Sequence, residues 1–211
     1  MNNSSICYIF GGGDRTSCDA SFAPDDLVIA ADAGYDYLQE LGLCPDVILG
    51  DFDSTTARDI PSDSIRYPKE KDDTDLLLAI QYGLEHSYEN FCIYGALGGR
   101  LDHTLGNIQA LSYLAEHGAT GTLMGEGYAL RVIKDGKISF AGEQKENRPK
   151  NLISVFSLSD VSEDVTISGL KYEVENVNLT RSFPLGVSNE FTGKNSFIQV
   201  KKGTICILWY L

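Results

Sequence analysis

The sequence predicts two units of different class. Residues 1–126 form an α/β domain on a mostly parallel sheet, and residues 127–211 form a β-sandwich. Three observations carry this. Up to about residue 125, short apolar runs alternate with amphipathic stretches, the pattern of strands linked by helical crossovers. After Met124 the runs shorten and become rich in β-branched and aromatic residues, with no helical period. With 211 residues, 43% of them hydrophobic, the chain is long enough to bury two modest cores.

The elements follow in order. Strands are expected at Ile6–Phe10, Leu27–Ala31, Val47–Leu49, Ile65–Tyr67, Phe91–Tyr94 and Thr120–Met124. A helix over Tyr35–Leu41 ends at Gly42, a glycine able to take the left-handed position that closes a helix. A second helix, Asp75–Leu84, sets Leu76, Leu77, Ala79, Ile80 and Leu84 on its apolar side. A third, Thr104–His117, carries Leu105, Ile108, Leu111, Leu114 and Ala115 at 3–4 spacing and stops before Gly118. Helices between strands imply a parallel sheet covered on both faces. The runs "ALRVI", "KISF", "LISVFSL", "VTISGLKYEV", "SFIQV" and "TICILWYL" are the strands of the sandwich, with the polar stretch 142–151 as a loop inside it.

Composition excludes several roles. Net charge is −13, from 30 acidic and 17 basic residues. Such a surface repels nucleic acid and anionic membrane, so neither is expected as a partner. No apolar run is long enough to span a bilayer. The start, "MNNSSICYIFGGGD", has no basic residue before a short apolar run, unlike a signal peptide, so the expected compartment is the cytoplasm. Five cysteines without CxxC spacing, three of them (Cys7, Cys92, Cys206) in apolar runs, read as reduced and partly buried.

Ligands of parallel α/β sheets bind outside the carboxyl ends of the strands. Five consecutive predicted strand ends carry glycine, aspartate or both. "GGGD" offers Gly12 and Gly13, where backbone N–H groups could approach a phosphate, although three glycines can equally make a tight turn. Asp32 follows the second strand and could be a plain helix cap. "GDFDS" brings Asp51 and Asp53 to the rim of a buried strand; a solvated turn is the bland alternative. Strand alternation would turn Phe52 away and face both carboxylates to one side, where a cation offsets their repulsion. Oxygen-only ligands suit Mg²⁺. "KDDTD" places Lys71, Asp72, Asp73, Thr74 and Asp75 at a helix start, more than capping needs. "GGRLDH" adds Arg100, a fork for phosphate, with Asp102 and His103; a lone histidine there is more often structural and is given no catalytic role. There is no Walker A, GxSxG or HExxH pattern; "TGKN" at 192–195 lacks the Ser or Thr after lysine.

In order along the chain, "ADAGYDYL", "PDVILGDFDS", "KDDTDLLLAI", "GALGGRLDHTLGNI", "GLKYEVENVNL" and "GVSNEF" resemble the motifs of the thiamine pyrophosphokinase (thiamine diphosphokinase) family, spanning residues about 8 to 191. The resemblance implies an N-terminal nucleotide-binding catalytic domain and a C-terminal thiamine-binding sandwich. It implies ATP and Mg²⁺, with thiamine diphosphate and AMP as products. It implies a homodimer, with thiamine held where the sandwich meets the partner subunit. Asp51 and Asp53 match the family's metal and phosphate aspartates; Asp75 and Asp102 match two further acidic site positions, and Asp75 joins the expected metal ligands. Asp32, Lys71 and Arg100 match nucleotide-contacting positions, and Ser188, Asn189 and Tyr172 match the thiamine side. The chain departs from the family in "ADAG", where many members have "ADGG", and in the apolar Leu76–Leu78 where many carry an acidic residue. The runners-up are a pyrophosphokinase acting on a pterin alcohol and a catalytically silent nucleotide- or thiamine-binding module.

Overall fold

The computed structural model describes residues 5–18, 20–142 and 151–211. The chain divides into two compact units, Met1–Glu126 and Gly127–Leu211.

The first unit contains β1 (Ile6–Phe10), β2 (Leu27–Ala31), α1 (Gly34–Leu41), β3 (Val47–Gly50), β4 (Ile65–Arg66), α2 (Asp75–Glu85), β5 (Asn90–Tyr94), α3 (Leu101–Glu116) and β6 (Thr120–Gly125). Its strands run β6-β5-β1-β2-β3-β4, all in parallel register. β1 is the pivot: the chain leaves it toward β2, β3 and β4, then returns to add β5 and β6 on the other side. The strand order therefore reverses beside β1, the usual ligand position of such sheets. Ile9, Phe10, Ile29, Ala30, Leu49 and Ile93 are fully buried, as strands covered on two faces require.

Gly42 closes α1 with φ 68°. The α2 cap is Thr74, whose hydroxyl accepts from Leu77 N at 3.2 Å. That leaves the aspartates of "KDDTD" free of capping duty. α3 begins at Leu101, three residues before the Thr104 expected from periodicity, because its first turn, with Leu101 exposed beside Asp102 and His103, carries no apolar face.

The second unit contains β7 (Tyr128–Lys134), β8 (Lys137–Phe140), β9 (Leu152–Ser157), β10 (Val161–Ser168), β11 (Val174–Thr180), β12 (Gly186–Glu190), β13 (Ser196–Gln199) and β14 (Thr204–Tyr210). Two antiparallel sheets, β12-β9-β14-β7 and β11-β10-β13-β8, form the sandwich. Ile153, Val155, Ile205 and Ile207 of one meet Val165, Ile167, Leu179 and Ile198 of the other in a single core. The run "VTISGLKYEV" is two strands, not one: it breaks at Gly169, whose φ of 80° leaves the extended region. Most of the expected 142–151 loop lies outside the described residues.

All five cysteines are free thiols, with Cys7 and Cys206 buried in β1 and β14. Burial pushes the Cys206 thiol up to about 12, which keeps it unreactive. Among the described residues, no helix is long and apolar enough to cross a membrane.

Candidate active site

A cleft of about 640 Å³ opens at the carboxyl ends of the first unit's strands. Of the residues expected there, Gly12, Gly13, Asp32, Asp51, Asp53, Lys71, Asp75 and Arg100 all line it. Asp102 does not. It lies in the first turn of α3, 65% exposed, where Arg100 grips its carboxylate through Nε at 3.2 Å and Nη2 at 2.6 Å. That fork holds the Asp102 carboxyl down at about 2.

Three carboxylates converge: Asp32, Asp51 and Asp75 each offer an oxygen, all within 4.8 Å of one another. Lys71 reaches into the group, with Nζ 3.2 Å from Asp51 Oδ2 and 3.0 Å from Asp75 Oδ1. Burial opposes the charge on Lys71, but Asp75 and Asp51 outweigh it and leave its pKa raised. Among the described residues, Oδ1 of Asp32 and Oδ1 of Asp75 are buried without a hydrogen-bond partner; the Lys71–Asp75 contact is thus an ion pair without hydrogen-bond alignment. Burial is also the main reason the Asp32 carboxyl is raised, against the opposing pull of the Ala33 N–H and aided by the charge of Asp75.

Asp32 is not a helix cap. The cap position of α1 is Ala33, and Asp32 sits in the left-handed region at φ 50°. A non-glycine residue in that conformation at a ligand cleft is the mark of a functional constraint.

The pairing expected of Asp51 with Asp53 is corrected. β3 ends at Gly50 and Phe52 has φ 61°, so strand alternation does not operate across "DFD". Asp51 turns inward to Lys71 and is 11% exposed; Asp53 turns to the rim and pairs with Lys69 at 2.7 Å. Lys69 holds the Asp53 carboxyl below its usual range. Both carboxylates still border the same cleft. The Phe52 ring lies under the Arg66 guanidinium, 5.0 Å from its centroid.

The glycine loop also serves differently from the expectation. The N–H groups of Gly11, Gly13 and Asp14 donate to the carbonyls of Tyr94, Gly95 and Leu97. A Cβ on Gly13 would stand 2.7 Å from the Gly95 oxygen and 2.9 Å from that of Leu97. These glycines let the β1 and β5 loops touch, and so shape the crevice. Tyr37, 2% exposed, ties down the far end of the same loop by accepting from Thr16 N and donating to Thr16 O.

Lys69, Ser54, His103 and Asn107 line the cleft without having been assigned to it. Asn107 donates to Ala96 O at 2.6 Å, fastening α3 to the β5 loop. "PKEK" held a signal for Lys69, two lysines two apart, but nothing local told that Lys69 pairs with Asp53 at the rim while Lys71 reaches Asp51 and Asp75.

In the second unit Tyr172 is 58% exposed, with Lys171 Nζ 5.4 Å from its ring. Ser188 is exposed at φ 62°. Asn189 is 5% exposed, with both ends of its amide engaged. It donates to Tyr172 O at 2.7 Å, and its oxygen accepts from Tyr172 N at 2.9 Å and Glu190 N at 2.8 Å. Asn189 thus clamps the backbone of Tyr172 with one of its two amide N–H groups and its oxygen.

A parallel sheet with an acidic, lysine-bearing cleft at its pivot, joined to a β-sandwich, defines an α/β phosphotransfer enzyme with an accessory binding unit. The comparisons with known proteins narrow the class. The family model "Thiamin pyrophosphokinase, catalytic domain" matches residues 19–122, and "Thiamin pyrophosphokinase, vitamin B1 binding domain" matches residues 143–205. The chain is 31% identical over 212 residues to the thiamine pyrophosphokinase of Bacillus subtilis, covering 96% of this chain and 97% of that protein. The crystal structure of a Bacillus subtilis thiamine pyrophosphokinase superposes with TM-score 0.83 at 28% identity, covering 98% of this chain and 99% of that one. The Geobacillus thermodenitrificans structure gives 0.81 at 25% identity, covering 98% and 97%. The chain belongs to the thiamin pyrophosphokinase family.

Proposed function

We propose that the chain transfers the pyrophosphoryl group of ATP to the primary hydroxyl of thiamine, with Mg²⁺, giving thiamine diphosphate and AMP. The observation that carries this is the carboxylate group Asp32–Asp51–Asp75, with Lys71, at the pivot crevice of a chain of this family. The hydroxyl oxygen bonds to the β-phosphorus as the bond from that phosphorus to the α-bridging oxygen breaks. AMP leaves with that electron pair, and the hydroxyl proton passes to solvent.

The residues present fit Mg²⁺: all donors are oxygens, they lie within 4.8 Å of one another, and the buried Oδ1 atoms of Asp32 and Asp75 have no hydrogen-bond partner, the latter only the Lys71 ion pair. When bound, the ion neutralises phosphate charge during transfer. Asp51 and Asp75 would hold it, with Asp32 as a third ligand; Asp53, at the rim beside Lys69, extends the acidic edge along the phosphate tail. Lys71 and Arg100 supply fixed positive charge, Arg100 by exchanging Asp102 for a phosphate. Asp102, outside the cleft lining, then stands either near the acceptor hydroxyl or behind the residues that touch it. Gly12, Gly13 and Asp32 border the nucleotide. Catalysis in this reading is positioning and charge neutralisation.

Thiamine is a cation, and the exposed face of Tyr172, whose backbone is held by Asn189, suits its ring, with Ser188 next to Asn189 in β12 as a further contact. The match of 143–205 to the vitamin B1 binding model supports this. The enzyme works as a homodimer with thiamine at the subunit interface; the exposed Phe183, Leu185 and Val187 supply apolar surface for that contact. The net charge of −13 supports a protein with no nucleic-acid partner.

The test is AMP release from ATP that requires both thiamine and Mg²⁺. Rates of Asp51→Asn and Asp53→Asn within a few-fold of wild type would overturn the roles given to these carboxylates. Tight binding of both substrates without AMP would identify a silent binding protein instead.

A further inference from the structure

We propose that Asp36 is a positioning residue for this reaction, fixing the loop that carries Asp51 and Asp53 to the helix that follows Asp32. The proposal rests on the functional reading above. Asp36 is in the first turn of α1 and 7% exposed, a costly place for a carboxylate. Its two oxygens accept four hydrogen bonds, all from one short segment. Oδ1 takes Thr55 Oγ1 at 2.7 Å and Ala57 N at 3.1 Å; Oδ2 takes Thr56 N at 2.7 Å and Thr56 Oγ1 at 3.0 Å. Burial alone would push this carboxyl up, yet the four donors leave it below its usual range.

The segment needs such an anchor. Between Gly50, the last residue of β3, and Ile65, the first of β4, there is no helix or strand. Asp51 and Asp53 sit at the start of this stretch, around a left-handed Phe52. The chain is fixed upstream by β3 and downstream by Asp36. α1 starts at Gly34, directly after the Asp32–Ala33 pair. Beyond the direct pairing of β2 with β3, where Asp32 N donates to Leu49 O at 2.8 Å, the first turn of α1 therefore adds a second tie between two carboxylates of the cleft that come from different strands. Small displacements matter here, because misplacing a reacting group by about 1 Å can cost on the order of 100-fold in rate.

The two backbone N–H groups use different oxygens of Asp36. Asparagine, in either orientation, can accept from only one of them and turns its NH₂ toward the other. Thr55→Val and Thr56→Val remove the hydroxyl donors from the loop side and leave α1 untouched.

Mn²⁺ binding without nucleotide, read by electron paramagnetic resonance, and steady-state kinetics are measured on wild type, Asp36→Asn, Thr55→Val and Thr56→Val. Asp36→Asn is expected to weaken Mn²⁺ binding about tenfold or more and to lower kcat roughly 10- to 100-fold, with the KM for thiamine within about twofold. The threonine variants move the same way by less, and combining either with Asp36→Asn adds less than the sum, since the lost bonds are shared. A folded Asp36→Asn with Mn²⁺ affinity and kcat within about threefold of wild type overturns the proposal, as does a wild type that binds no Mn²⁺. If Asp36→Asn does not fold, threonine variants indistinguishable from wild type overturn it. A wild type that binds Mn²⁺ but releases no AMP refutes the functional reading alone; Mn²⁺ binding by the variants then decides the role of Asp36.

Discussion

Lys71→Met tests whether one ammonium and one metal ion share a seat. Lys71 Nζ lies 3.2 Å from Asp51 and 3.0 Å from Asp75, and the three side chains are 13%, 11% and 23% exposed. At an effective dielectric constant of about 20, each attraction is about 5 kcal/mol, much of it offset by desolvation. Methionine fills the space but leaves two largely buried carboxylates facing each other and Asp32. Breaking a buried pair from one side costs about 3–5 kcal/mol; partial exposure puts this case near the lower end, about 3 kcal/mol. The assay is urea unfolding followed at the helix band, which reports the first unit because α1, α2 and α3 all lie there. In EDTA the variant should be less stable by about that amount. In Mg²⁺ without nucleotide the gap should narrow, since the ion no longer competes with the ammonium; a ligand at 100 times its Kd returns about 2.7 kcal/mol. An unchanged gap in Mg²⁺ would show that these carboxylates do not hold the ion. No loss in EDTA would show that Lys71 does not hold them together.

Asn189→Ala should destabilise the second unit by about 2–3 kcal/mol, because the Tyr172 and Glu190 backbone groups lose their partner, and should raise the KM for thiamine more than it lowers kcat. Asp32→Asn should stabilise the metal-free protein by about 0.5–2 kcal/mol while abolishing activity. Its folded pKa is raised, so with wild type stability declines as pH climbs from the unfolded value near 4 to the folded one, and the variant lacks that decline. Asp36 has the opposite sign: its folded pKa is lowered, so its contribution is complete above about pH 4 and fades as pH falls through the folded value, and Asp36→Asn should flatten the acid limb of unfolding. Gly34→Ala should cost about 3 kcal/mol in thermal unfolding, because the added Cβ would stand 1.7 Å from the Phe10 carbonyl and force α1 off β1.

Local sequence suffices for the division into two units, the class of each, and the strand ends at which glycine and aspartate gather. These are local matters. Periods of 2 and 3.6 register in adjacent residues, Gly42 and Thr74 end and begin helices where the chain needs them, and "GDFDS" and "KDDTD" are contiguous words. The tertiary structure decided which of those residues meet. Asp51 stands beside Asp32 and Asp75 rather than Asp53, because a positive φ at Phe52 breaks alternation and the strand order brings the ends of β2 and β3 side by side. The glycines after β1 answer to the carbonyls of the β5 loop, some 85 residues on. Asn189 spends its amide on Tyr172, and Asp36, which carries no distinguishing pattern in the sequence, accepts four hydrogen bonds from the segment after β3. Hydrogen-bond partners and charge neighbours are set by distances across the fold, and those follow from strand order and loop conformation, which no local pattern encodes.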